Sequence, residues 1–159
     1  MWKTVRIFLV CGVCALCLGA RDLSTFSLEE KVGQVLMVHF HGSVANEEAR
    51  SLIQDLKVGG ILYYNWANGL DSPAQVRALS EDLQALAREN PHSIPLLIAV
   101  DQEGGSVARL RNGFTTFPSN RAVGNTKDPK LAESIAFALG QELQAVGINM
   151  NLAPVVDID

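Results

Sequence analysis

The sequence predicts an α/β fold of the (β/α)8 barrel type, with only about the first four βα units present, and three observations predict it. Apolar runs at 34–40, 61–64, 96–100 and 148–156 alternate with amphipathic stretches long enough to be helices. That alternation implies parallel strands joined by helical crossovers. The runs are nearly continuous in apolar character, as strands covered on both faces are. Each also closes on polar or aromatic residues: His39 and His41, then Asn65 and Trp66, then Asp101 and Glu103, then Asp157 and Asp159. Clustering of such groups at strand C-terminal ends is the layout of a barrel's ligand-binding rim.

The elements follow in order. Residues 1–20 open with Lys3 and Arg6, continue through an uncharged apolar stretch, and end in Leu18, Gly19 and Ala20. This is the pattern of a secretory signal peptide, and the apolar stretch falls short of the roughly 20 residues a membrane-spanning helix needs. Export to the periplasm or beyond is the expectation, with no stable membrane span after cleavage. An uncleaved anchor or a cytoplasmic chain is the alternative, because Leu18 is a poor residue three positions before the cleavage point. All three cysteines, Cys11, Cys14 and Cys17, lie in this leader, so the mature chain is expected to use neither disulfides nor thiolate metal ligands.

Ser27 followed three residues later by Glu30 is a capping-box signature for a short helix leading into the first strand. Asn46 caps a helix to about Leu56, and Gly59 and Gly60 break it before the second strand. Asp71, Ser72 and Pro73 open a long helix to about Glu89, with Val76, Leu79, Leu83 and Leu86 as one apolar stripe. The third strand is followed by a loop of some 25 residues. Asp128 and Pro129 then start a helix to about Val146, ended by Gly147, before the fourth strand around Pro154. A complete barrel has eight strands and about 250 residues. Residues 21–159 are therefore expected to be the N-terminal half of a barrel domain, from a truncated or split frame or from a half that needs a partner.

Composition narrows the partners. Hydrophobic residues make up 48% and charged residues 19%, which suits a packed core, and the net charge of −4 disfavours nucleic acid. The chemistry concentrates in Asp101-Gln-Glu-Gly-Gly-Ser-Val-Ala-Arg109-Leu110, where a buried strand gives way to an acidic, glycine-rich loop. Gly104 and Gly105 suit positive φ or close backbone approach. Asp101 is a candidate ligand carboxylate or the cap of a turn, and Arg109 its partner or a surface ion-pair residue. Glu103 is read as a structural contact within the loop. His39 and His41 point to one side, and histidines satisfied by loop backbone are preferred to a metal pair. Tyr64 and Trp66 suit either sugar stacking or rim packing.

The 101–110 segment, together with Gly59-Gly60-Ile61, Phe117-Pro118-Ser119 and Asn149-Met-Asn-Leu-Ala-Pro-Val-Val-Asp157, resembles the N-terminal barrel domain of glycoside hydrolase family 3, in particular its bacterial β-N-acetylhexosaminidase branch. The similarity runs in order from about Ser27 to Asp159. The resemblance implies that Asp101 binds sugar hydroxyls before the scissile bond and that Arg109 assists. It implies no metal and no cofactor. It places the nucleophilic aspartate on a later strand, and the general acid in a later loop or another domain. A Lys-His pair beyond the fourth strand also belongs to the pattern and is not in this sequence. Ser106 stands where many relatives carry arginine, and Asp157, although at a strand end, is not the nucleophile.

Retaining glycoside hydrolysis requires both a nucleophile and an acid. The expectation is therefore a hydrolase acting, in its full-length form, on terminal β-linked N-acetylglucosamine, with no catalytic residue in this chain. Substrate binding is assigned to Asp101 and Arg109. The partners expected are the carbohydrate and the missing barrel half. A β-glucosidase or xylosidase of the same family, or a non-catalytic sugar-binding remnant of a split gene, is the alternative.

Overall fold

The computed structural model describes residues 22–156. The leader and its cysteines, and the strand-end Asp157 and Asp159, lie outside the described residues. A 3-10 turn at Leu23–Thr25 precedes helix α1, Leu28–Gln34. The capping box is present: Ser27 Oγ accepts from Glu30 N at 3.2 Å, and the Glu30 carboxylate accepts from Ser27 N at 2.9 Å.

The first strand is shorter than expected. Gln34 ends α1, and β1 is confined to Met37–Val38. Val35 and Leu36 are exposed rather than covered on both faces. A short apolar run does not distinguish a helix end from a strand, and here the backbone decides: Leu36 N donates to Gly33 O, while Gly59 N donates to Gly33 O and Leu36 O. The last helical turn is thus tied to the start of the second strand. A Cβ on Gly59 would collide with the Gln34 carbonyl, and one on Gly33 with the Leu56 carbonyl. The glycines are what permit this approach.

Helix α2, Glu47–Arg50, is capped by Asn46 Oδ1 and runs into a wider π-type turn at Ser51–Asp55. Strand β2, Gly60–Tyr63, leads to a one-turn helix α3, Asn65–Asn68. Ser72 caps α4, Pro73–Arg88, and Val76, Leu79, Leu83 and Leu86 are all buried, as their spacing requires. Strand β3 is Leu97–Val100. The expected long loop contains a small hairpin of β4, Gln102–Gly104, and β5, Val107–Ala108, and then a short helix α5, Asn120–Asn125, capped by Ser119. Helix α6, Pro129–Ala145, is capped by Asp128, and Gly147 turns the chain with φ 78°.

Strand β6 pairs only through Met150–Asn151, although Leu152 N still donates to Val100 O. The expected strand to 156 stops early because Pro154 has no N–H to offer the ladder.

The main sheet has the order β1-β2-β3-β6 and every pairing is parallel, with Met37 opposite Gly60, Tyr63 opposite Val100 and Val100 opposite Asn151. The core lies between this sheet and the helices, with Ile53, Ile61, Leu79, Leu83, Ile98 and Val100 fully buried. Tyr63 is also buried, and its hydroxyl pairs with Ser80 Oγ at 3.1 Å while burial holds its ionisation well above the usual range. Sequential parallel strands with helices between them are the first half of a (β/α)8 arrangement, so the predicted fold class stands.

The α1 cap also anchors the N-terminal segment. Glu30 lies 3.4 Å from His92 Nε2 and 3.8 Å from Lys57 Nζ, and His92 stacks on Phe26 with ring centroids 3.7 Å apart. The Ser27 backbone N–H, aided by His92 and Lys57, holds the Glu30 carboxyl below the usual carboxylate range. A depressed folded pKa contributes stability above the unfolded value of about 4.3 that is lost as pH falls through the folded one. Urea unfolding of wild type and Glu30→Gln at about pH 6 and about pH 3 should show a stability gap favouring wild type that shrinks at the acid end. A gap independent of pH would contradict the charge assignment.

Candidate functional site

The β3 ladder ends at Val100, so Asp101 is the first side chain free to leave the sheet at the strand's C-terminal end. The β4-β5 hairpin, with Gln102 opposite Ala108 and Gly104 opposite Val107, folds the chain back so that Arg109 lies over Asp101. Arg109 Nη2 donates to Asp101 Oδ2 at 3.0 Å. The sequence-predicted pair is therefore brought together.

The turn of this hairpin needs both glycines. Gly104 has φ 92° and Gly105 φ 61°, conformations that favour residues without a side chain. A Cβ on Gly104 would strike the Pro118 carbonyl, and one on Gly105 would lie 2.8 Å from Ser119 Cβ. Gly105 N also donates to Phe117 O at 2.9 Å. The Phe117-Pro118-Ser119 segment is thus the lid against which the glycine turn rests.

Gln102 holds the hairpin, a role the sequence reading did not assign. It is almost wholly buried, and its amide grips one residue from both sides: Nε2 donates to Leu110 O at 2.9 Å, and Leu110 N donates to Oε1 at 3.0 Å. Gln102's own backbone is gripped in turn by Asn151, whose Oδ1 accepts from Gln102 N and whose Nδ2 donates to Gln102 O, both at 3.0 Å. Asn149, one step earlier, bridges two residues instead, accepting from Ile98 N at 2.8 Å and donating to Leu96 O at 2.9 Å. A side-chain amide carries the same donor and acceptor as a peptide group. These asparagines therefore extend the β3-β6 pairing past its two ladder positions. The signal was visible as Asn149 and Asn151 two residues apart in an otherwise apolar run.

Asp101 and Arg109 are partly accessible, their side chains 22% and 30% exposed. An ionised carboxylate offers about four acceptor sites and a guanidinium five donors. One donor of Arg109 fixes the carboxylate's orientation, and most of the pair's capacity remains for a ligand rich in hydroxyls. Arg109 Nε is buried without a hydrogen-bond partner. The pair presents hydrogen-bond donors and acceptors in a fixed arrangement, but it contains one carboxylate, not the two that retaining hydrolysis needs.

Beside the pair stands a cluster of rings. His39 and His41 do lie together, with centroids 5.5 Å apart, but the expectation that loop backbone satisfies them is replaced by ring packing. His39 meets Tyr64 and Trp66 edge-on at 5.7 and 5.2 Å, His41 lies 5.7 Å from Trp66, and Tyr64 and Trp66 stack at 5.1 Å. Arg109 Cζ lies 5.9 Å from the Tyr64 ring centroid, within reach of a cation-π contact. Among the described residues, no group of three His, Cys, Asp or Glu side chains is placed to hold a metal ion.

Asn68 supports this rim from below. It is fully buried, donates to Phe40 O at 3.1 Å and Gly42 O at 3.2 Å, and accepts from Tyr64 N at 3.0 Å. It locks the loop after β1 to the end of β2. Glu103 lies elsewhere: it lines a cavity of about 650 Å³ between α5, α6 and β6 that includes neither Asp101 nor Arg109. The side-chain hydrogen bonds gripping the loop come from Gln102 and from Arg111, whose Nη2 donates to Ser106 O at 3.0 Å, and not from Glu103 as the sequence suggested.

A carboxylate held by a guanidinium at the C-terminal end of a parallel strand lies where (β/α)8 barrel domains present their ligand-binding groups, and the comparisons identify the family. The Glycosyl hydrolase family 3 N terminal domain matches residues 27–159, and the chain belongs to that family. The β-hexosaminidase of Pseudomonas aeruginosa strain LESB58 is 38% identical over 125 residues, covering 78% of this chain and 35% of the relative. A family 3 β-N-acetylglucosaminidase from Paenibacillus sp. FPU-7 superposes with TM-score 0.78 at 48% identity, covering 84% of this chain and 25% of that one. A β-N-acetylhexosaminidase from Beutenbergia cavernae superposes with TM-score 0.70 at 37% identity, over 84% of this chain and 39% of that one. The chain spans about a third of the length of the curated relatives it matches.

Replacing Gln102 by leucine would leave the buried Leu110 N–H and C=O without partners. Gln102→Leu is expected to lower unfolding stability by about 1–3 kcal/mol for each group left unsatisfied, measured by urea denaturation. A loss below about 0.5 kcal/mol, the size of an ordinary surface substitution, would show that the hairpin is held by other contacts.

Proposed function

We propose that this chain supplies the substrate-binding half of a β-N-acetylhexosaminidase-like barrel, recognising the terminal N-acetylglucosamine of a β-linked glycoside. The single observation that carries this reading is the Asp101–Arg109 pair at the C-terminal end of β3, partly open and oriented by the Gln102 and Asn151 clamps. Adjacent sugar hydroxyls are donors that a fixed carboxylate accepts, and the guanidinium fork supplies donors to their oxygens. The names of the relatives support the sugar: hexosaminidase and β-N-acetylglucosaminidase.

In the full-length form the reaction is retaining hydrolysis, with a nucleophile and a general acid supplied from outside residues 1–159. The leader supports an exported protein and therefore a substrate outside the cytoplasm, such as peptidoglycan or chitin-like material. On this reading the chain by itself binds and does not cleave, because the pair offers one carboxylate where retaining hydrolysis needs two.

The test uses the 159-residue chain with N-acetylglucosamine and a chromogenic β-N-acetylglucosaminide. Calorimetry should detect sugar binding that Asp101→Ala weakens by about 1–3 kcal/mol, the usual loss for a charged hydrogen-bonding group. Release of the chromophore should stay at the background rate. Binding that ignores Asp101→Ala would contradict the site, and turnover abolished by that substitution would contradict the division between binding and catalysis.

A further inference from the structure

We infer that Trp66, with the ring cluster behind it, forms a second sugar subsite that stacks on the next unit of a β-linked amino-sugar chain. This rests on the reading that Asp101 and Arg109 hold the first unit. Three observations carry it. Trp66 is 63% exposed although it is the largest side chain on this rim. It is nevertheless fixed in place, because Tyr64 stacks on it at 5.1 Å and 25° while His39 and His41 pack against it at 5.2 and 5.7 Å. The cluster also continues into the carboxylate pair, since the Tyr64 ring that backs Trp66 lies 5.9 Å from Arg109 Cζ, which belongs to the guanidinium bound to Asp101.

An exposed indole held still is a poor arrangement for a surface whose only neighbour is water, and a good one for an apolar face presented by a ligand. A pyranose ring has such a face, formed by its axial C–H bonds, with hydroxyls at the edge. An aromatic platform beside polar groups that fix orientation is the usual composition of a small-molecule site. Trp66 stands three contacts from Asp101, by way of Tyr64 and Arg109, and the group assigned to it is the second ring of a disaccharide whose first ring is held by the carboxylate. The short α3 turn that carries Trp66 is itself anchored by the buried Asn68 amide, so the platform's position is set by β1 and β2 and not by the ligand. The ligand class is therefore an oligosaccharide of at least two β-linked N-acetylhexosamine units, and the platform selects length.

The experiment compares N-acetylglucosamine with N,N′-diacetylchitobiose by calorimetry on the full chain, using wild type, Trp66→Ala, Trp66→Phe and Asp101→Ala. Wild type should bind the disaccharide about tenfold more tightly than the monosaccharide. Trp66→Ala should remove that advantage and leave monosaccharide affinity within about twofold, which also shows that the variant is folded; Trp66→Phe should keep part of the advantage. In a Trp2→Phe background, where Trp66 is the sole tryptophan, its fluorescence should change on adding the disaccharide and not the monosaccharide. Equal disaccharide affinity in wild type and Trp66→Ala, with both sugars still weakened by Asp101→Ala, overturns the stacking subsite alone. Binding of neither sugar to wild type overturns the subsite together with the reading on which it rests.

Discussion

Everything at the rim depends on one interaction, the two-way hydrogen bonding between the Asn151 side chain and the Gln102 backbone. The β3-β6 ladder itself is only two residues long. The asparagine amides continue it, Asn149 below and Asn151 above, and the upper one seizes the residue that follows Asp101. The Gln102 side chain then passes the constraint to Leu110, the residue after Arg109. Asp101 and Arg109 are thus each adjacent in sequence to a residue whose backbone is held by a side-chain amide. Their 3.0 Å contact follows from that scaffold more than from their own attraction, which at partial exposure is worth little by itself.

The scaffold supports the binding function proposed for so small a frame. A ligand gains affinity when the groups that meet it are already ordered, because their freedom is not lost on binding. Two devices provide order on adjoining parts of the rim: amide clamps behind the charged pair, and ring packing with the Asn68 lock behind Trp66. Arg109 joins them, hydrogen-bonded to Asp101 on one side and placed over Tyr64 on the other.

The sequence disclosed most of this architecture where local chemistry is unambiguous. The capping box at Ser27 and Glu30, the Asn46, Ser72 and Asp128 caps, and the stripe from Val76 to Leu86 all form as their spacing requires. The parallel order followed from the alternation of elements, and Asp101 and Arg109 were placed together by resemblance and by position. The sequence was less readable where competing backbone bonds decide. Val35 and Leu36 look like strand but belong to the turn after α1, because Gly33 and Gly59 allow the two backbones to touch. Gln102 was passed over because glutamine is usually exposed, and its burial depends on Leu110, eight residues away. The histidines looked like candidates for loop hydrogen bonds, and only the fold brings them against Tyr64 and Trp66.

We propose that the carboxylate-guanidinium pair, and not the cavity of about 650 Å³ between α5, α6 and β6, receives the sugar. A crystal structure of the chain soaked with N-acetylglucosamine tests it directly. Sugar hydroxyls are expected within about 3.2 Å of the Asp101 carboxylate oxygens and the Arg109 guanidinium. A sugar seated instead in the cavity beside Glu103, with Asp101 and Arg109 contacting only each other, would contradict it.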